Sequence, residues 1–371
     1  MTTHNNELQP DRAVLVGVGV GDNIEESSLD ELSSLCGTCN IEEVARITQN
    51  RHDVDVTYYI GKGKVEEVKE LVEKHDANVV VFDVELSGSK VRNLERELQV
   101  PVLDRSKIIL DIFAQRAQSM EGKLQVELAQ LKYNLPRLVG YGALMAKMRT
   151  AVGMRGPGEK KLEMDKRKIR EEISELEKKL KKLGESRNLN KALANKTGMK
   201  RVCLVGYTNS GKSTLLNTMT KSNVLAEDKL FATLDPKTAK IFIQDIEKGW
   251  GGIEVLITDT VGFINKLPHE FIKAFESTLD EARYADLLLH VVDVSNEQYM
   301  EQVAVVDSVL EKIGANHVPQ MLVLNKVDML SDVGLKEIEK TFQEQKKEYI
   351  IISAKNNVGI DELKQKIVRS L

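Results

Sequence analysis

The run RVCLVGYTNSGKSTLLNTM, residues 201–219, constrains the fold of this chain more than any other stretch. An apolar strand runs into Gly206-x-x-x-x-Gly211-Lys212-Ser213, and a helix pattern follows at once. Strand, glycine loop and helix in that order make the first half of a βαβ unit, so the surrounding domain has a mostly parallel sheet under helices. The same loop is built for phosphate. The N–H groups of Asn209, Ser210, Gly211, Lys212 and Ser213 are expected to point inward around a β-phosphate, with Tyr207, Thr208 and Thr214 flanking them. Lys212 would neutralise β- and γ-oxygens, and the Ser213 hydroxyl would bind Mg²⁺. The helix over 212–220 adds the positive end of its dipole.

A phosphate loop does not choose a base, but LVLNKVD does. A hydrophobic strand, 321–324, delivers Asn325-Lys326-Val327-Asp328. The Asp328 carboxylate can accept from both N1–H and the 2-amino group of guanine, whereas adenine would leave it unpaired. Lys326 would lie along the base, and Asn325 would tie this segment to the phosphate loop. Downstream, Ser353-Ala354-Lys355 follows another strand and suits a backbone N–H on guanine O6. Between these motifs lie FATLDP (Phe231, Ala232, Thr233, Leu234, Asp235) and ITDTVGF (Asp259, Thr260, Val261, Gly262). Thr233 would complete a Mg²⁺ shell, Asp259 would hold a Mg²⁺-bound water, and the Gly262 N–H would meet the γ-phosphate. Catalysis is therefore expected from Lys212, Thr233 and Gly262. Phe263 stands where a water-orienting glutamine usually follows such a glycine, and it can neither donate nor accept a hydrogen bond.

The remaining chain reads as two further parts. Residues 1–12 form a polar tail expected to be disordered. Residues 13–117 alternate strand-like and helical runs, predicting a small α/β domain with a mostly parallel sheet. GVGVGD there departs from a dinucleotide fingerprint at Asp22 and reads as a plain turn, while Gly61-Lys62-Gly63-Lys64 opens a helix and could take a phosphate. Cys36-x-x-Cys39 lacks a second close pair for zinc and reads as two small apolar side chains at a helix end. Residues 118–196 hold leucines at 124, 128, 131 and 135, and a second seam from Leu162 to Leu183, predicting an antiparallel helical hairpin. An irregular loop over 141–159 joins the two arms, and 186–200 reads as a linker into a third domain, 197–371. From Ala146 to Arg201 there are 18 Lys and Arg against 8 Asp and Glu, a local excess of ten positive charges in a chain of net charge −4. A one-signed excess beside an irregular loop favours RNA or another polyanion. The polar N-terminus and the lack of any long apolar run show neither a signal core nor a membrane helix, so a cytoplasmic chain is expected.

With these motifs in order, the chain resembles the HflX family of ribosome-associated GTPases, within the Era-like GTPases of the translation-factor class. Beyond the nucleotide loops, the carrying stretches are YIGKGK, ELSGSKVRNLE, EGKLQVELAQLKYNLPRL, RGPGEKKLE and DTVGFINKLPHEFIKAFESTLDEARYADLLLHVVDVS. The chain departs from the family pattern at Gly88, where a proline is usual, and in a linker loop less rich in glycine. Only 16 residues follow Lys355, so the further C-terminal domain of some members is not expected. The resemblance implies an N-terminal α/β domain, a helical-hairpin linker and a C-terminal P-loop GTPase domain. It implies GTP hydrolysis with Mg²⁺, slow alone and stimulated by the ribosome. It also implies a monomer, partly ribosome-associated, whose N-terminal domain and linker reach the RNA of the large ribosomal subunit to split or rescue stalled ribosomes under stress. Asn209 stands where K⁺-stimulated relatives hold potassium. The competing expectation is a GTP-regulated protein–protein switch with a non-ribosomal target, and a weaker one is ATP use through the Gly61–Lys64 stretch.

Overall fold

The computed structural model describes residues 10–21, 26–140, 157–195, 199–220, 230–231, 233–246, 251–266, 276–344 and 348–371. Ala232, most of the loop over 141–159 and the 1–9 portion of the N-terminal tail lie outside the described residues. The chain divides into two compact units. One holds residues 1–115 and 126–178, and the other holds 116–125 and 179–371.

The first unit is built on a four-stranded parallel sheet, β1 (Asp11–Val20), β2 (Ile41–Arg51), β3 (Val79–Phe82) and β4 (Val102–Asp104), in the order β2-β1-β3-β4. The helices α1 (Glu26–Thr38), α2 (Lys62–His75), α3 (Gly88–Leu98) and α4 (Arg105–Arg116) connect or follow these strands. β1 and β3 carry unbroken apolar runs because both faces of a parallel sheet are covered. Val14, Val16, Val80 and Phe82 pack with Val65, Val68 and Val72 of α2 and with Leu94 and Leu98 of α3. The expected turn at GVGVGD begins later than its glycines suggest. β1 continues through Val20, and the chain turns at Gly21, whose φ is +80°.

A buried charge sits just past the carboxyl ends of β3 and β4. Arg105 is 2% exposed, donates to Asp83 Oδ1 at 2.7 Å and is also paired with Glu31. Burial works against the Arg105 charge, but the two carboxylates outweigh it and hold its pKa above the ordinary value. Cys36 is buried in α1, and Cys39 follows that helix. Burial pushes their thiols up to about 12 and about 11, so neither is a reactive thiolate near neutral pH.

Two long helices follow. α5 spans Met120–Asn134 and runs into a 3₁₀ turn, Leu135–Gly140, and α6 spans Pro157–Asn195. Lys132 of α5 and Glu177 of α6 pair at 2.8 Å, and Arg137 fastens the 3₁₀ turn to Leu86 O and Asp104. α6 runs well past Glu185, so residues 186–195 are helical, where a linker was expected. No glycine or proline interrupts Glu185–Asn195, and an established helix propagates at low cost.

The second unit carries a six-stranded sheet in the order β10-β9-β8-β5-β7-β6. Its strands are β5 (Lys200–Gly206), β6 (Lys237–Gln244), β7 (Gly252–Asp259), β8 (Leu287–Asp293), β9 (Gln320–Asn325) and β10 (Tyr349–Ile351). All pairings are parallel except β6 against β7. The helices are α7 (Lys212–Thr220), α8 (Glu276–Arg283), α9 (Tyr299–Lys312), α10 (Asp332–Glu344) and α11 (Ile360–Ser370). β5 lies centrally, between β8 and β7. The carboxyl ends of the parallel strands therefore open on one edge, where open α/β sheets bind their ligands.

Candidate nucleotide site

The loop after β5 meets the segment after β7 through the backbone. The Thr208 N–H donates to Phe263 O at 2.7 Å, and the Phe263 N–H donates to Gly206 O at 3.1 Å. The two form a short parallel bridge, Tyr207 with Phe263. The Tyr207 hydroxyl adds a third tie by accepting from the Asn265 N–H at 2.7 Å. Phe263 itself is 2% exposed. The residue in the glutamine position is thus a core side chain whose backbone fastens one functional loop to another.

Lys212 is buried, and its Nζ donates to Gly206 O at 3.1 Å and Tyr207 O at 2.7 Å. Burial pushes its pKa down to about 8, with Asp259 pulling the other way. Gly262 lies against this ammonium. A Cβ there would fall 3.1 Å from Lys212 Nζ and 2.8 Å from Thr208 Cα, so glycine keeps that approach open.

A second cluster joins three oxygen-bearing side chains from three elements. Ser213 Oγ, at the start of α7, lies 2.9 Å from Thr233 Oγ1 and donates to Asp259 Oδ2 at 2.7 Å. Thr233 is 5% exposed and Asp259 is fully buried. Burial pushes the Asp259 carboxyl above its ordinary value, against Lys212 and the Ser213 and Thr233 hydroxyls. Asp259 Oδ1 is buried without a hydrogen-bond partner, as are the hydroxyls of Thr208 and Ser210. Hard oxygens with an unsatisfied carboxylate at their centre fit a Mg²⁺ ion, which takes few protein ligands and keeps several waters.

The segments expected to read the base are cross-braced to the glycine loop after β5. Asn325, at the end of β9, donates from Nδ2 to Ser210 O at 2.9 Å and accepts the Ala354 N–H on Oδ1 at 3.0 Å. Gly211 admits this brace. Its φ is +95°, and a Cβ would fall 2.3 Å from Asn325 Nδ2. Asp328 sits in the 3₁₀ turn Val327–Met329 and accepts from Ser353 Oγ at 2.6 Å. Lys326 adopts φ +66°, and its ammonium pairs with Asp293 of β8 at 2.7 Å. The Thr218 hydroxyl of α7 donates to Ala354 O at 2.9 Å, closing the ring from phosphate loop to base reader.

Comparison with known proteins places this geometry. Three family models match in succession: a GTP-binding GTPase N-terminal region over residues 26–114, a GTP-binding GTPase middle region over 116–192, and a 50S ribosome-binding GTPase over 201–326. The chain is 46% identical over 361 residues to the GTPase HflX of Caldanaerobacter subterraneus subsp. tengcongensis, covering 97% of this chain and 81% of that one. It is 41% identical over 361 residues to the GTPase HflX of Escherichia coli K12, covering 97% and 83%. The chain belongs to the HflX family of GTPases. It is a GTP-binding protein and a GTP hydrolase. A crystal structure of SsGBP with GDP shares the fold at a TM-score of 0.52 and 24% identity, covering 96% of this chain and 98% of that one. Among the described residues, no helix is long and apolar enough to cross a membrane.

For this HflX-family chain, the structure gathers Gly206, Lys212, Ser213, Thr233, Asp259 and Gly262 at one edge, with Asn325, Ala354 and Ser353–Asp328 braced beside them. Asp235 differs, because its carboxylate accepts from Gln118 and Ser119. Two contributors went unnoticed in the sequence. Tyr207 counted only as a loop position, and its hydroxyl bond spans 58 residues, which local spacing does not signal. Asp293, the partner of Lys326, ends an apolar strand in HVVDVS just as Asp259 ends one in ITDT, and that parallel was the available clue.

Proposed function

We propose that this GTPase holds its nucleotide in a site that is incomplete for hydrolysis, and that the large ribosomal subunit completes it. The observation that carries the proposal is Phe263: a core side chain occupies the position that would orient water. The matching model for a 50S ribosome-binding GTPase and the basic excess over 146–201 support the ribosome as the partner. In this reading Asp328 accepts from guanine N1–H and the 2-amino group, with Ser353 fixing the carboxylate and Lys326 lying along the base. The N–H groups of residues 209–213 hold the β-phosphate, and Lys212 leaves the Gly206 and Tyr207 carbonyls for the β- and γ-oxygens. Ser213, Thr233 and Asp259, the last through water, hold Mg²⁺, which when bound would neutralise charge developing on the phosphates. The Gly262 N–H contacts the γ-phosphate, so its loss frees both the Thr233 and Gly262 segments. Asn209, at φ +60° in the loop, is assigned a K⁺ ion beside the transferring phosphate.

Splitting or rescue of stalled ribosomes under stress, in the cytoplasm, is the corresponding cellular role, with the N-terminal domain (13–117) and the hairpin linker (118–196) on ribosomal RNA and the GTPase domain (197–371) as the switch. The test is sedimentation with ribosomes in a non-hydrolysable GTP analogue. Co-migration with large subunits at moderate salt is expected. Its absence would favour a GTP-regulated switch with a non-ribosomal target.

A further inference from the structure

Asp235 is two residues beyond Thr233, yet its side chain serves a different element. Its Oδ2 accepts from the Gln118 N–H at 2.9 Å and the Ser119 N–H at 2.8 Å, and its Oδ1 accepts from the Ser119 hydroxyl. Ser119 in turn caps α5, its Oγ accepting from the Gly122 N–H at 2.9 Å. The two amides lie just before α5, so the Asp235 carboxylate sits at the positive end of that helix's dipole and holds the residue that caps it. Gly122 makes room for it: a Cβ there would fall 2.4 Å from Asp235 Oδ1. Glycine inside a helix is a poor helix former, and this close approach gives it a reason. Residues 116–125 belong to the same compact unit as Asp235, while α5 continues into the other unit from Val126.

Thr233 and Asp235 therefore make two grips from one short stretch, one on Ser213 beside Asp259 and one on the start of α5. Only Leu234 stands between them, and it is buried at 2% exposure, so the stretch has little slack. We propose that Asp235 is a positioning residue for hydrolysis: it anchors the Thr233 segment on the N-terminus of α5, so that seating Thr233 and capping α5 are one event. Because such coupling is reciprocal, a partner that shifts α5 alters how Thr233 is seated, and nucleotide state alters the order of residues 118–122. This rests on Thr233 serving the triphosphate as proposed above.

The experiment is hydrogen exchange on the full chain with GDP or a non-hydrolysable GTP analogue and Mg²⁺, together with GTP turnover of Asp235→Ala, Asp235→Asn and Gly122→Ala. In the unsubstituted chain, amides of 118–122 should exchange about tenfold more slowly with the analogue than with GDP. Asp235→Ala and Gly122→Ala should erase that difference. Both should lower kcat by about ten- to a hundredfold while KM for GTP stays within about twofold, because an anchor misplaced by about an ångström costs rate before binding. Asp235→Asn, which keeps an acceptor oxygen, should recover part of the rate. Equal exchange of 118–122 in both nucleotides, with 209–213 protected by each, overturns the coupling and leaves the site assignment standing. An unchanged kcat in Asp235→Ala also overturns it. Failure of either nucleotide to protect 209–213 overturns the site assignment and the coupling with it.

Discussion

Phe263 carries the mechanism at the scale of single residues. Its side chain is buried and its backbone is bonded to the phosphate loop, so glutamine at this position would face the core and not a water near the γ-phosphate. Phe263→Gln is expected to leave turnover without ribosomes unchanged and to lower stability by about 3 kcal/mol, through lost burial and an unpaired amide. Turnover assays and thermal unfolding check the two halves separately. At the proposed base reader, Asp328→Asn would replace the acceptor assigned to two guanine donors with a group that can mispair. It should weaken GTP binding by about 100-fold or more, measured by calorimetry. K⁺ belongs to this scale too. Replacing NaCl with KCl at equal ionic strength should raise turnover, and Asn209→Ala should abolish that rise. The phosphate loop and Asn325–Asp328 were legible because their chemistry follows from residue order over a few positions. The buried fate of Phe263 was not legible, since it depends on Gly206 and Thr208, more than fifty residues away.

Elements were readable where periodicity was strong and capping was local. The strands β1, β3, β5 and β9 and the helices α2, α4 and α7 follow directly from apolar runs and helical spacing. β2 went unrecognised because its charged residues, from Glu42 to Arg51, mask the alternation of a half-covered edge strand. The end of α6 was misjudged because polar residues in 186–195 resemble a linker when no partner face is visible in the sequence. Arg105 shows the same limit, since a basic residue opening a helix gives no sign of a buried ion pair with Asp83 and Glu31. Removing one carboxylate leaves that charge undercompensated. Asp83→Ala should therefore destabilise the first unit by about 3–5 kcal/mol, seen as a lowered thermal midpoint with GTP turnover per folded molecule unchanged.

The whole molecule joins a nucleotide-dependent unit to an α/β unit through helices that belong partly to each. The linker stretch, 146–201, concentrates ten excess positive charges and is shared by both units, with 179–201 in the unit that also holds the nucleotide loops. That local charge suits the proposed trigger on a polyanionic partner, and it was visible in the sequence before any fold was known. The most direct test is steady-state GTP turnover of the full chain in KCl and Mg²⁺, with and without purified large ribosomal subunits. Turnover should be slow alone and rise at least about tenfold with subunits, toward the range seen when a partner completes a phosphoryl-transfer site. Fast turnover alone that added subunits leave unchanged would contradict the account.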